Sequence, residues 1–196
     1  MPHEEFFDYE IPPFCFADRA EELLARFDKG EIPCLFYAAL ELRMGIEARL
    51  FQIIRSALEL AQRPVTQIKE YRANVLLKRL SQINPEALNP IAVGFGIGGG
   101  PMSFMHYTPV TPKLAAYHGQ LGEMLHFKFF ENNEEWYYKL ELSHPMYIPE
   151  RKNLFSYRAL LADVLEELRC ATSGSLISPP SGFLSQIDTL NHTEEN

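Results

Sequence analysis

The chain has 196 residues, of which 46% are hydrophobic and 22% are charged, which suits a globular protein of one domain with a sizeable core. A net charge of −8 excludes a broadly basic surface for duplex nucleic acid, because such binding depends on neutralising phosphates, but it leaves room for a small basic cleft. The three cysteines, Cys15, Cys34 and Cys170, are odd in number and widely spaced, which argues against a disulfide framework and against a zinc knuckle.

The sequence predicts neither a signal peptide nor a membrane span. The first ten residues, MPHEEFFDYE, are acidic and lack the apolar run of a signal peptide. No apolar stretch approaches the roughly 18 to 20 residues that a bilayer crossing needs. We therefore expect no membrane association and a cytoplasmic location.

The first thirty residues predict an extended segment followed by a short helix. Residues 4–14, EEFFDYEIPPF, alternate imperfectly and stop at Pro12 and Pro13, which is typical of an edge strand or an extended arm. Asp18 is placed to cap a helix over 19–27, and Gly30 is placed to end it.

The next segment predicts the longest helix, from Leu35 to Gln62, which Pro64 ends. A third helix is predicted from Val65 to Leu80, and Asn84–Pro85 breaks it. The helical spacing of the longest segment is carried by Leu35, Ala39, Leu42, Ile46, Leu50, Ile53, Ala57 and Leu60.

A glycine-rich segment, IAVGFGIGGGPMSFMHYTPVTP, follows and is not helical. Five glycines in the seven residues from Gly94 to Gly100 favour a loop between short extended pieces, as in a hairpin or a flap. The segment lacks the Gly-Lys-Ser/Thr ending of a Walker loop and does not open a helix as a dinucleotide fingerprint does, so we predict no cofactor. The segment from Thr111 to Phe130 then predicts a helix. Thr111 is placed to cap it, and Pro112 occupies the first helical position.

The C-terminal part predicts a strand, a helix and a tail. WYYKLEL, residues 136–142, has the composition of a strand, and Asn153 or Ser156 caps a last helix that runs to about Cys170. From Thr172 the composition turns to Ser, Pro, Gly and acid. We therefore predict a mainly α fold, a bundle of four or five helices with a small β element, as a single domain over residues 1–171 with a flexible tail over 172–196.

The helix after Thr111 carries an unusual line of small residues. Ala115, Gly119 and Gly122 follow one another on one side, and the line leads to His126. Two interior glycines cost about 1 kcal/mol each relative to alanine, a cost that usually reflects the close approach of another backbone or of a ligand.

We expect this line to pack against a small-residue edge of the longest helix, formed by Ala38, Gly45 and Ser56. Such packing would bring the polar residues of the longest helix close to His126. It also predicts that Gly119→Leu badly destabilises the protein.

The polar residues of the longest helix are the natural partners in such a cluster. Arg43 and Glu47 lie four residues apart and can pair along one side, whereas Arg49 projects near the centre of the apolar stripe and needs either a carboxylate partner or a route for its head group to solvent. His118 and His126 lie about 12 Å apart along a helix axis, too far to share a metal ion, so we predict no metal site. A lone helical histidine is more often a hydrogen-bonded core residue than a catalyst.

The two helices together resemble the HEPN superfamily of small bacterial helical bundles. The resemblance covers about a quarter of the chain. It is carried by the segments ALELRMGIEARL and YHGQLGEMLHF, and within them by Glu41, Arg43, Glu47, Tyr117, Leu121, Leu125 and His126.

The resemblance implies a role in a toxin–antitoxin, phage-defence or RNA-processing system. Active members of the family cut RNA without a metal, using an Arg and a His of an Arg-x(4–6)-His motif that meet across a homodimer. This sequence lacks that spacing, because Leu121, Gln120 and Gly119 occupy the positions five to seven before His126. The resemblance implies His126 and Arg43 as catalytic residues, with Glu47, Arg49, Tyr117 and His118 as binding residues in a cleft for RNA or a nucleotide.

Two functions remain open from the sequence. The first is a HEPN-like protein of an RNA-related defence or stress system, with metal-independent ribonuclease activity if it is an enzyme. The second is a non-catalytic protein-interaction or dimerisation module.

Overall fold

Five helices, a short 3₁₀ turn and a two-stranded antiparallel sheet make up the described part of the chain, which confirms the predicted mainly α fold. The computed structural model describes residues 11–60, 70, 72–96, 103–125 and 151–176. The elements are α1 (Pro13–Asp28), α2 (Pro33–Leu60), α3 (Ala73–Ile83), the 3₁₀ turn (Pro85–Leu88), β1 (Ile91–Phe95), β2 (Ser103–Tyr107), α4 (Pro112–Leu125) and α5 (Arg151–Thr172).

The long helix α2 lies at the centre of the bundle and packs against α1, α3, α4 and α5. Its predicted apolar face is confirmed from Leu35 to Ala57, and each fully buried Leu or Ile contributes about 1.5–3 kcal/mol to folding. The helix begins two residues before the predicted start, since Pro33 suits a first turn whose N–H groups have no helical partner. The predicted end at Gln62 lies outside the described residues.

Helix α1 begins earlier than predicted. Pro13, not Arg19, is its first residue, because the fixed φ of proline suits the first helical position. Asp18 therefore lies inside the helix, where its carboxylate accepts a hydrogen bond from Arg169 instead of capping. Gly30 ends this region as predicted, with a φ of 103° that a side chain would disfavour. The predicted edge strand falls mostly on residues 1–10, outside the described residues.

Helix α3 begins later than predicted. Glu70 and Arg72 are not helical, and the Glu70 carboxylate accepts hydrogen bonds from both the backbone N–H and the guanidinium of Arg72. This local pair competes with helix formation just before Ala73. Asn84 ends the helix as predicted, and its side chain accepts from the Glu86 N–H to start the 3₁₀ turn.

The glycine-rich segment forms the predicted hairpin. Strands β1 and β2 pair from Ile91 opposite Tyr107 to Phe95 opposite Ser103. Tyr107 is fully buried, and its hydroxyl donates to the Ala87 carbonyl at 2.6 Å, which anchors the base of the hairpin to the 3₁₀ turn. Residues 97–102 lie outside the described residues.

The predicted start of α4 is confirmed, whereas α5 begins earlier than predicted. The Thr111 hydroxyl accepts from the Leu114 N–H at 3.1 Å, which confirms the cap of α4. Helix α5 begins at Arg151, before both predicted caps, and ends at Thr172.

The predicted strand at 136–142 and residues 177–196 lie outside the described residues. A bilayer-spanning helix, which needs about 20 apolar residues, is not found among the described helices.

The predicted close packing of Gly119 against Gly45 is wrong. A Cβ added to Gly45 would lie 2.7 Å from Leu168 Cδ2 and 3.0 Å from Phe16 Cβ, so this glycine faces α1 and α5. Gly119 is exposed, and a Cβ there would meet nothing within 4 Å beyond its own helix. Helices α2 and α4 do pack together, and Ala115 and Gly122 of the line are buried, but Gly119 is open, so the predicted unfolding by Gly119→Leu has no structural basis.

We expect the same substitution to have a large effect at Gly45 and almost none at Gly119. Gly45→Val should lower the free energy of unfolding by at least about 2 kcal/mol, because the added carbons overlap the buried Leu168 and Phe16. Gly119→Val should change it by less than about 0.5 kcal/mol, and Gly119→Ala should raise it by about 0.5–1 kcal/mol, because helix propensity alone acts there. Urea unfolding followed by circular dichroism measures all three, and equal losses at both sites would contradict the packing.

Candidate functional site

The side chains that connect α2 and α4 form a small polar cluster around Glu47. His118 Nε2 lies 2.7 Å from Glu47 Oε1, and Arg43 Nε donates to the same oxygen at 3.2 Å. A carboxylate oxygen only accepts hydrogen bonds, so Nε2 carries the proton in the His118 contact. Glu47 is therefore shared between one residue of its own helix and one of the neighbouring helix.

Helical spacing explains why these residues meet. Arg43 and Glu47 lie four apart and therefore on one edge of α2. His118 belongs to the buried face of α4, between Leu114 and Leu121. A histidine on that face needs a hydrogen-bond partner, because burying its ring N–H without one costs free energy. Glu47 is that partner.

The cluster is largely withdrawn from solvent. The exposed fraction of the side chain is 7% for His118, 18% for Arg43 and 23% for Glu47. Partial burial by itself raises the pKa of Glu47, but the hydrogen bonds from His118 and Arg43 outweigh it, and the net pKa lies below the ordinary value. The carboxylate is ionised and has two donors around neutral pH.

Arg49 is the second buried polar residue of the described core, with 3% of its surface exposed. Its Nη1 donates to Gln52 Oε1 at 2.7 Å and its Nη2 to the Thr108 carbonyl at 2.9 Å. The carboxylate partner that the sequence suggested is not found within the described residues, and its Nε has no partner there. Desolvation lowers the pKa of Arg49. None of its hydrogen bonds reaches Glu47 or His118.

Of the other residues predicted for the site, Arg49 and Tyr117 do not join the cluster. The Tyr117 ring is half-buried and lies 5.7 Å from the ammonium of Lys113, which itself pairs with Glu167. His126, predicted as the catalytic histidine, lies outside the described residues. The structure thus brings together Arg43, Glu47 and His118.

A surface that we did not predict lies on the outer side of α2. Tyr37, Leu40 and Met44 are 53%, 45% and 41% exposed, and their spacing of three and four places them on one face, here called the outer face of α2. Phe51, which is partly exposed, continues the same line. Their spacing alone could have revealed the face, because α2 is apolar on two sides, and a helix of this kind is usually covered on both.

Comparisons with known proteins assign no family. No family model matches the chain, no curated protein matches it, and no solved structure matches it.

The cluster predicts a pH-dependent contribution of Glu47 to stability. Its pKa is lower folded than unfolded, so its contribution is present above the unfolded pKa of about 4.3 and is lost as the pH falls through the folded value. At pH 7, Glu47→Gln should lower the free energy of unfolding by about 1–2 kcal/mol.

The difference between Glu47→Gln and wild type should shrink as the pH is lowered from 5 towards 3. Urea unfolding at several pH values measures it. Glu59→Gln, in an exposed pair with Arg55, serves as the control and should cost less than about 0.5 kcal/mol. A Glu47→Gln deficit that is constant over this range would contradict the assignment.

Proposed function

We propose that this chain is a non-catalytic helical-bundle module that forms a homodimer through the outer face of α2. The observation that carries the proposal is the exposure of Tyr37, Leu40 and Met44 on adjacent turns of the central helix. Contiguous exposed apolar residues of this kind mark interaction sites in soluble proteins.

A second copy of the chain is the partner that fits this face. If two α2 helices cross antiparallel with Met44 at the centre, Tyr37 lies opposite Phe51 of the second copy, and Leu40 lies opposite the small Ala48. The face is therefore complementary to itself in size.

The Glu47 cluster supports a packing role better than a catalytic one. A general base must come within hydrogen-bond reach of its substrate, which a buried ring does not readily do. The Nε2 of His118 is already bound to Glu47, and the side chain is only 7% exposed. Arg43 binds the same carboxylate. The negative charge of Glu47 therefore offsets the positive charge of Arg43 that would otherwise attract a phosphate.

The biological setting that we propose rests on the sequence. The segments of α2 and α4 that resemble HEPN proteins pack against each other, which is compatible with that resemblance. On this basis, the homodimer belongs to a bacterial RNA-related defence or stress system of the toxin–antitoxin type and acts there by binding a protein partner.

A metal-independent ribonuclease is the alternative. One observation favours it: Arg43 keeps part of its side chain exposed and so could contact RNA or a nucleotide in a local cleft. In that case His126 would supply the proton transfer.

Charge placed on the outer face should abolish self-association. We expect wild type to sediment as a dimer and Met44→Glu and Leu40→Glu to sediment as monomers with unchanged circular dichroism, because each buries a carboxylate against apolar side chains. Phe155→Glu is the matched control, since Phe155 is 70% exposed on another helix, α5, and should leave the dimer intact. A monomeric wild type at all accessible concentrations, or dimeric glutamate variants, would contradict the proposal.

Labelled RNA separates the module from the nuclease. We expect wild type, His118→Asn, Arg43→Ala and His126→Ala all to leave single-stranded RNA intact in the presence of EDTA. Cleavage by wild type that His126→Ala or Arg43→Ala removes would establish the alternative instead.

A further inference from the structure

The four residues after α5 lie along the outer edge of the hairpin. Leu176 forms a parallel bridge with Tyr107, and its N–H donates to the His106 carbonyl at 2.9 Å. The Ser175 hydroxyl accepts from the His106 N–H at 3.0 Å. Both backbone groups that His106 presents on the side away from β1 are therefore satisfied by residues 173–176.

Thr108 connects this segment to two helices. Its hydroxyl donates to the Ala171 carbonyl at the end of α5 and accepts from the Gly174 N–H, at 3.1 Å and 3.0 Å. Its carbonyl accepts from the buried guanidinium of Arg49 on α2. One residue at the end of β2 thus joins the C-terminal segment, α5 and α2.

Gly174 makes the close approach possible. A Cβ at this position would lie 2.7 Å from Thr108 Oγ1, 2.8 Å from the His106 carbonyl oxygen and 2.9 Å from the Thr108 nitrogen. Two of these three are backbone atoms, which cannot turn aside as the end of a side chain can. Any other residue at this position would push the segment away from β2.

The hairpin has few other attachments in the described part of the chain. Tyr107 is buried at its base, but Ala92, Gly94, Phe104 and His106 are exposed. A two-stranded hairpin is at best marginally stable by itself. Its order therefore depends on the contacts at its base and along the edge of β2.

We propose that residues 173–176 are a latch that closes the hairpin onto α5 and α2 in the same chain. With the latch closed, hydrogen bonds join His106 to Ser175 and Leu176. Thr108 is joined in the same way to Gly174, to Ala171 on α5 and to Arg49 on α2. When the latch opens, the hairpin loses the edge contacts and moves as one unit about Tyr107, while the helical bundle stays folded. The latch goes beyond the proposed function, since it involves neither the outer face of α2 nor the Glu47 cluster.

Amide hydrogen exchange measured by NMR tests the latch. In Gly174→Val we expect the amides of β1, β2 and Leu176 to exchange at least about tenfold faster than in wild type, while the amides of α2 keep their wild-type rates. Gly119→Val, with open space around its Cβ, is the matched control and should leave the hairpin rates unchanged.

Two milder variants decide the question if Gly174→Val does not fold. Thr108→Val removes the hydroxyl that joins Ala171 and Gly174, and Ser175→Ala removes the acceptor of the His106 N–H. We expect Thr108→Val to accelerate exchange throughout the hairpin several-fold and Ser175→Ala to accelerate it mainly at His106. Unchanged hairpin rates in these variants, or equal acceleration in α2 and in the hairpin, would overturn the proposal.

Discussion

The hydrogen bond between His118 and Glu47 allows α4 to pack its apolar face on α2. That face contains a histidine among leucines, and a buried ring without a partner would cost roughly 1–3 kcal/mol. Glu47 supplies the partner, and the same carboxylate oxygen accepts a hydrogen bond from Arg43. The contact joins the buried face of α4 to the central helix.

Arg49 fulfils a corresponding role on another side of α2. Its guanidinium binds the Thr108 carbonyl and so ties the end of the hairpin to the central helix. The two buried polar residues of the described core thus each join α2 to a different neighbour. Because the polar groups of α2 bind inside the chain, what remains for other molecules is its outer face, where Tyr37, Leu40 and Met44 meet solvent.

Periodicity and local chemistry predicted much of this fold. The apolar spacing of α2, the cap at Thr111, the stop at Gly30 and the hairpin around the glycines all depend on residues close in sequence, and the structure confirms them. The starts of α1 and α3 differ from the predicted ones. Pro13 favours an earlier start of α1, because its fixed φ suits the first helical position. The hydrogen bonds between Glu70 and Arg72 compete with helix formation and delay the start of α3.

Tertiary contacts were harder to predict. The sequence identified Gly45 and Gly119 as small but could not say which of them another helix approaches, and only Gly45 is crowded. Likewise, Arg43 and Glu47 were recognised as a pair, but spacing did not single out His118 as their partner. Composition alone places Gly174 in a tail, because its role depends on a strand edge more than sixty residues earlier.

A double-mutant cycle between Glu47 and His118 tests the central claim most directly. The free energies of unfolding of wild type, Glu47→Ala, His118→Ala and the double variant are measured by urea denaturation at pH 7 and one protein concentration. A buried hydrogen bond to a charged group predicts a coupling of about 1.5–3 kcal/mol, the double variant losing less than the sum of the single variants. A coupling near zero would show that the two side chains do not hold α4 to α2.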